Sequence, residues 1–500
     1  MKRFLKLLIV LLVLLLFSCS SSHSSNDSDI LPDEDIDLQD SETQNEDSES
    51  QSSEIVDDSD ETPDRDTDSD TDFENNDSDS EEEKNDNEIF DDTDRINGYK
   101  RCYDEIPDEP YEGFFADPKI EIWIRGALHY DWDYEIQEED LEKVTEIGLP
   151  VKDLRGVEKL VNLEYAELLD AGGNVYDFTP LSKLKKLKKV GISSETMTCL
   201  DGSFSFLTNL ETLVIENTQL QDVSPIEQLV NLKTLEMDYN IITSLPRNIR
   251  NLQTLEFLSF VHNSVKDVEP VKSLINLKKL FFHYNNVEDI SPIKGLVNLT
   301  RLGCDNNKIK DILPTTNLVN LTHLLLIQNQ IKKIPKEIVN LKKLQTLQLD
   351  YNIINTLPDL QGLDSLAELR LAYNNLNDAD FIKLNELEAV GFLDVSFNKF
   401  TKIPVLKNVK SLYELYLVGN KITDLTGFAD NESFPALKNL DVGSNKIENV
   451  EAFRNRKGLS ILRVDKNCIK DFSPLEELME HGTHVGGMNE QSESCGDKTE

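Results

Sequence analysis

Three groups of residues in this 500-residue chain have types and spacings that could do chemistry. Near the carboxyl end, His481 and His484 stand within His481-Gly482-Thr483-His484-Val485-Gly486-Gly487. Imidazoles move protons near neutral pH and bind transition metals. The alternating run Asp66-Thr67-Asp68-Ser69-Asp70-Thr71-Asp72 offers carboxylates to a calcium ion. Cys19 follows the apolar run Leu7 to Phe17 and Ser18, and offers a thiol. Each group needs elements that hold it in place. Two histidines without a cysteine or carboxylate pattern are thin as a metal site. A calcium loop needs a sharp turn, usually at glycine, and no glycine occurs in the acidic stretch. The expectation is neither metal nor cofactor.

The histidine segment resembles the catalytic-histidine segment of subtilisin-like proteases. That resemblance implies a nucleophilic serine and an oxyanion hole elsewhere. In that family the serine comes long after the histidine, in a Gly-Thr-Ser context. Only thirteen residues follow Gly487, and none supplies it. The expectation is therefore no enzyme. Ser473 to Gly482 reads instead as one helix, with Ser473 as cap, Pro474 as first residue and Gly482 as stop. Thr483-His484-Val485 would then form a final edge strand.

Lys2, Arg3 and Lys6 precede the apolar run, the layout of a secretory signal too short to span a bilayer comfortably. Leu16-Phe17-Ser18-Cys19 resembles the bacterial lipoprotein signal, with Phe17 an unusual choice within it. The resemblance implies a signal peptide over 1–18, cleavage before Cys19 and a lipid on its thiol. It also implies an extracytoplasmic membrane lipoprotein, with Ser20 compatible with the outer membrane or cell surface.

The formal charge is −43. Residues 27–94 hold thirty-two Asp and Glu against Arg65 and Lys84. Residues 19–95 therefore read as a disordered tether, because they cannot bury enough apolar surface to offset ordering entropy. Such a tether would span roughly 45–50 Å as a coil and about 230 Å at full stretch. Nothing is basic enough to follow a nucleic-acid backbone.

From about residue 163 one pattern recurs: Leu, two variable, Leu, one variable, apolar, two variable, Asn. Leu277-Leu280-Phe282-Asn285 and Leu299-Leu302-Cys304-Asn307 are consecutive copies. The asparagines are Asn240, Asn263, Asn285, Asn307, Asn329, Asn352, Asn374, Asn398, Asn420, Asn445 and Asn467, mostly 22 or 23 residues apart. Looser copies begin at Leu163, Leu187 and Leu210, with Thr218 in the asparagine slot of the last. Fourteen copies of this consensus predict a leucine-rich-repeat solenoid. Its fold class is α/β: a curved right-handed coil with a parallel β-sheet on the concave face. The asparagines should form a ladder of buried amides that pairs turn backbone groups.

A solenoid also needs caps. Phe114-Phe115-Ala116-Asp117-Pro118, Ile122-Trp123-Ile124-Arg125 and Asp140-Leu141-Glu142-Lys143-Val144 resemble the helical amino-terminal cap of internalin-like bacterial repeat proteins. Val157-Glu158-Lys159-Leu160-Val161-Asn162-Leu163 and Asp289-Ile290-Ser291-Pro292-Ile293 resemble their 22-residue repeat. Ile334-Pro335-Lys336-Glu337-Ile338 departs toward another repeat style. The resemblance covers roughly residues 113–485. The expected divisions are 96–145 for the amino-terminal region and cap, 146–472 for the repeats, and 473–500 for the carboxyl-terminal cap and tail.

Cys304 falls on an inward strand position, and Cys468 and Cys495 are expected to close a disulfide over the carboxyl-terminal cap. Cys102 and Cys199 could pair with each other, but connectivity is not readable from sequence. The variable strand positions define the expected partner-binding face: Tyr239, Phe257, His262, Phe281, His283, Tyr284, Leu325, Tyr351 and Tyr373. Contiguous exposed aromatics are enriched at protein interfaces. The expected partner is a protein, the expected anchor a membrane lipid, and the expected state a monomer. An alternative is a structural or scaffolding lipoprotein of the cell envelope.

Overall fold

The computed structural model describes residues 95–102, 109–169, 172–175 and 177–492. All of them belong to the unit Asn85–Glu500. The expected signal peptide, Cys19, most of the tether and Cys495 lie outside the described residues.

The alternation of buried and variable positions produces one sheet of sixteen strands in strict chain order. Neighbouring strands are parallel, with the central leucines in register: Leu302 lies opposite Leu280 on one side and Leu324 on the other. At about 4.8 Å per strand the sheet is roughly 70 Å long. Fourteen strands come from the expected copies. Two more extend the sheet: β3 (Glu146–Leu149, counted after a two-strand hairpin described below) at the front, and His484–Gly486 at the back. The fold is a leucine-rich-repeat solenoid.

The return side consists mainly of short 3-10 turns such as Ser291–Gly295. Asp289 Oδ1 accepts the Ser291 N–H at 2.7 Å, and Pro292 supplies a preset φ without a spare donor. The same aspartate device opens the turns at Ser224 and Leu313. Between sheet and turns, Leu280, Phe282, Val287, Ile290, Ile293, Leu296 and their counterparts form one continuous buried core.

Both ends are closed. Helix α1 (Lys119–Ala127) buries Ile120 and Ile124. Its Trp123 lies against Gly148 of β3, where an added methyl would come within 2.9 Å of the indole. Helix α2 (Glu138–Leu141) is organised by Asp140, which accepts hydrogen bonds from the Tyr130 and Tyr134 hydroxyls, the Gln137 N–H and Lys143 Nζ. The Lys143 ammonium above all holds this carboxyl well below the usual range. At the far end a helix over Ser473–Glu480 packs beneath the last strand. Gln491 there takes a ladder-like position. Its Oε1 accepts the Ile469 N–H at 3.2 Å, and its Nε2 donates to Val464 O and Gly487 O.

The chain enters through an element that the sequence reading did not identify. Strands β1 (Arg95–Ile96) and β2 (Tyr99–Lys100) form a tight hairpin. Its turn is Asn97-Gly98, both at positive φ, the residue pair that this turn type favours. The hairpin sits on the return-side turns. Asn97 Nδ2 donates to Ser205 Oγ at 3.1 Å, Gln228 Nε2 donates to the Tyr99 hydroxyl at 3.0 Å, and the Cys102 N–H donates to Asp201 Oδ2 at 2.9 Å. A methyl on Gly202 would stand 2.8 Å from Ile96 O, so only glycine admits this approach. Cys102 is disulfide-bonded to Cys199 with Cα atoms 5.7 Å apart.

Candidate functional site

Each repeat presents its outward residues in rows along the sheet, because one pleated strand repeats every 22 or so residues. The nine residues expected at a partner face divide between the strands and the turns that follow them. Phe257, Phe281, His283 and Leu325 lie on or beside the strands. Tyr239, His262, Tyr284, Tyr351 and Tyr373 lie one step further, in the turn just before each ladder asparagine, at φ near +50°.

On the strands, Phe257 and Phe281 lie diagonally across neighbouring repeats and meet edge to face with centroids 5.8 Å apart. The Phe281 and His283 rings lie nearly parallel with centroids 5.8 Å apart. Gly303 makes their position available: an added methyl would be 2.3 Å from His283 Nε2 and 2.7 Å from Phe281 Cδ1. Leu325 follows Gly303 in the same row. His283 is further held by Asp305, whose backbone N lies 3.1 Å and Oδ2 2.9 Å from Nδ1. Gly303 was not singled out by the sequence reading, although a glycine inside a strand pattern signals a close approach.

The turn row forms two stacks. Tyr239, His262 and Tyr284 stack at 4.5 and 4.0 Å. Tyr351, Tyr373 and Phe397 stack at 4.1 Å for each pair. Asn306 and Gln328 separate the stacks at the same turn position. The Phe397 ring overlies Gly419, where a methyl would be 2.4 Å from it. Tyr239, Tyr284 and Tyr351 remain about half exposed, at 53%, 48% and 51%.

Beneath these rows runs the asparagine ladder. Asn307 Nδ2 donates to Phe282 O of the preceding repeat and to Cys304 O and Asp305 O of its own, at 2.9 to 3.2 Å. Its Oδ1 accepts the Val287 N–H at 3.0 Å. Asn285, Asn329, Asn352, Asn374, Asn420, Asn445 and Asn467 repeat this set. Asn240 shares its Oδ1 with Thr218, while Asn263 and Asn398 also bridge to their preceding repeats. A second, exposed asparagine row went unnoticed in the sequence. Asn231, Asn276, Asn298 and Asn320 each donate to a carbonyl of the preceding repeat at 2.8 to 2.9 Å. The Asn-Leu pair that recurs before the strands of several repeats, such as Asn276-Leu277, Asn298-Leu299 and Asn320-Leu321, was its signal.

The face carboxylates are structural connectors as well as charges. Asp238 accepts the Ser259 hydroxyl and the Val261 N–H. Asp305 accepts the Ile327 N–H, and Asp350 the Ala372 N–H. Each extends the ladder past the strand end. Burial pushes the Asp350 carboxyl up to about 7 and raises Glu167, Glu216, Glu236 and Asp238. Farther along, the Arg370 guanidinium lies 4.7 Å from the Phe392 ring centroid.

The histidine motif is divided between a helix end and a strand. His481 Nδ1 lies 2.7 Å from Glu477 O, and His484 opens the last strand. Gly482 ends the helix at φ +93°. Among the described residues, no group of three or more His, Cys, Asp or Glu is placed to hold a metal ion. Cys304 is free and buried. Cys468 is disulfide-bonded, and its expected partner Cys495 lies outside the described residues. No helix of the described residues is long and apolar enough to cross a membrane.

Comparison with known proteins agrees with this architecture. The family described as leucine-rich repeats in two copies matches residues 208–251 and 275–318, and a second leucine-rich-repeat family matches 319–376. An internalin of Listeria monocytogenes, InlF, is similar at 25% identity and a TM-score of 0.51, covering 75% of this chain and 96% of that one. A leucine-rich-repeat protein of Leptospira interrogans is 26% identical with a TM-score of 0.60, covering 70% and 98%. The functional domain of Listeria InlJ, at 21% identity and 0.58, covers 74% and 79% and shares the fold. No curated protein matches the sequence.

Proposed function

We propose that this chain is an exported binding protein, tethered to a bacterial membrane by a lipid on Cys19, that recognises another protein through the outward rows of its sheet. The carrying observation is the pair of aromatic stacks in the turn row. A bulky residue at φ near +50° costs about 1–2 kcal/mol where glycine or asparagine would be cheaper. Asn217, Asn306 and Gly419 occupy the same position in other repeats. Backbone geometry therefore does not require the aromatics, and neither does the core, which the ladder leucines already fill. Tyr239, Tyr284 and Tyr351 stay about half exposed, a composition suited to a protein interface. Similarity to an internalin is in keeping with a recognition role.

A photo-crosslinking residue placed at Phe281 of the full chain tests this reading. Exposed to envelope extracts and candidate host-cell lysates, it should yield a protein adduct that the same residue at Lys294, on the return side, does not yield. Equal adducts from both positions, or none from either, would favour the envelope-scaffold alternative.

A further inference from the structure

We propose that the hairpin β1–β2 with the Cys102–Cys199 disulfide is the mount through which tension enters the folded unit. The proposal rests on the reading that the chain is anchored on its amino-terminal side. Any pull between such an anchor and a partner held on the sheet enters the described fold at Arg95.

The covalent route then decides what bears the tension. From Cys102 the chain can reach the repeats through the 97-residue segment leading to Cys199 or directly through the disulfide. The direct route is far shorter, so it becomes taut first and the closed loop between the two cysteines stays slack. That loop contains α1, α2, β3 and the first two expected repeats. These are the elements least able to resist peeling. A solenoid repeat contacts only its neighbours, so an end unit has support on one side alone. The amino-terminal cap offers only one helix of nine residues and one of four.

The landing point is better supported. Cys199 lies three residues before the return-side turn Gly202–Phe206, which has repeats on both sides. Asp201 anchors both partners of this junction, accepting the Cys102 N–H and the Ser203 hydroxyl. Ser203 in turn accepts the Phe178 N–H of the preceding repeat. The hairpin lies flat on this turn and the next, through Ser205 and Gln228. Load is thus delivered to the interior of the array, on the side opposite the proposed recognition rows.

Single-molecule stretching of the full chain, with a handle at each end and no reductant, tests the mount. Cys102→Ser, Cys199→Ser should unfold in additional steps at forces below the first array event of the wild type. Those steps should release about 350 Å in total, the length of 97 residues at ~3.6 Å each. The disulfide at Cys468 is present in both proteins and cancels. If the variant resists to the same first force and adds no early steps, the disulfide carries no protective load and the proposal fails. Should the variant not fold, the wild type alone is informative. Its fully stretched length must fall short of its sequence length by at least the same loop, and a full-length extension would refute the mount. Mass measurement of the chain from membranes tests the underlying reading separately: an unmodified Cys19 would remove the anchor while leaving the stretching result intact.

Discussion

Tyr284 and Asn285 are neighbours in sequence, each the local copy of a row that recurs along the sheet, yet the two rows obey different rules. The asparagine side chain is buried and bonded to backbone groups of two repeats. The tyrosine is half exposed, occupies a strained backbone region and stacks on the His262 ring before it. Where the fold dictates a residue, its partners are backbone atoms and its type hardly varies from Asn240 to Asn467. Where the fold merely tolerates a residue, the type changes among Tyr, His, Asn, Gln, Phe, Gly, Ser and Lys. The first row holds the solenoid together; the second is free to meet a partner.

Substitutions should separate the two rows. Asn307→Ala strands the Val287 N–H and weakens three carbonyl contacts, so we expect destabilisation on the order of 3–5 kcal/mol, read as a lower urea midpoint. A change under 1 kcal/mol would break the contrast.

Asp350 gives the next largest effect, through pH. Its carboxyl is raised from 3.8 to about 7 by burial, so the folded state favours the neutral form. That contribution is complete below about 3.8 and is lost as pH rises through about 7. Wild type should therefore lose about 2 kcal/mol more than Asp350→Asn between pH 5 and pH 8. Parallel stability profiles would contradict the assignment.

Asn298→Ala, in the exposed asparagine row, should cost only about 1 kcal/mol in the same denaturation assay, since water can replace its partner. Smallest of all is Tyr373→Gly. It loses two stacking contacts of roughly 0.5–1.5 kcal/mol each and relieves about 1–2 kcal/mol of backbone strain. The net should stay within about 1 kcal/mol, whereas Asn374→Gly one residue away should cost several times more.

The same division explains what could be read in the sequence. The repeats and the ladder asparagines were legible because burial imposes one residue type at one spacing many times over, and the closing helix over Ser473–Glu480 was legible from Pro474 and Gly482, although Phe472 and not Ser473 takes the cap position. The hairpin was not, because two strands of two residues make no periodic pattern, although Asn97-Gly98 carried its turn signature. The Cys102–Cys199 pairing depends on where separate segments meet, which spacing does not reveal. Gln491 escaped notice because it places a different amide at a ladder-like position. On the face, sequence identified the aromatics but not their arrangement. Whether Phe281 lies flat depends on Gly303, a residue from the next repeat.

The most direct test compares capture of proteins from envelope extracts and candidate host-cell lysates by the full chain and by its Phe281→Ser, Tyr284→Ser variant. Urea midpoints must first establish that the two have equal stability. A partner should be retained by the parent and reduced at least about tenfold on the variant, the effect of one lost anchor contact of about 1.4 kcal/mol. Equal retention would contradict it and move recognition away from the aromatic rows.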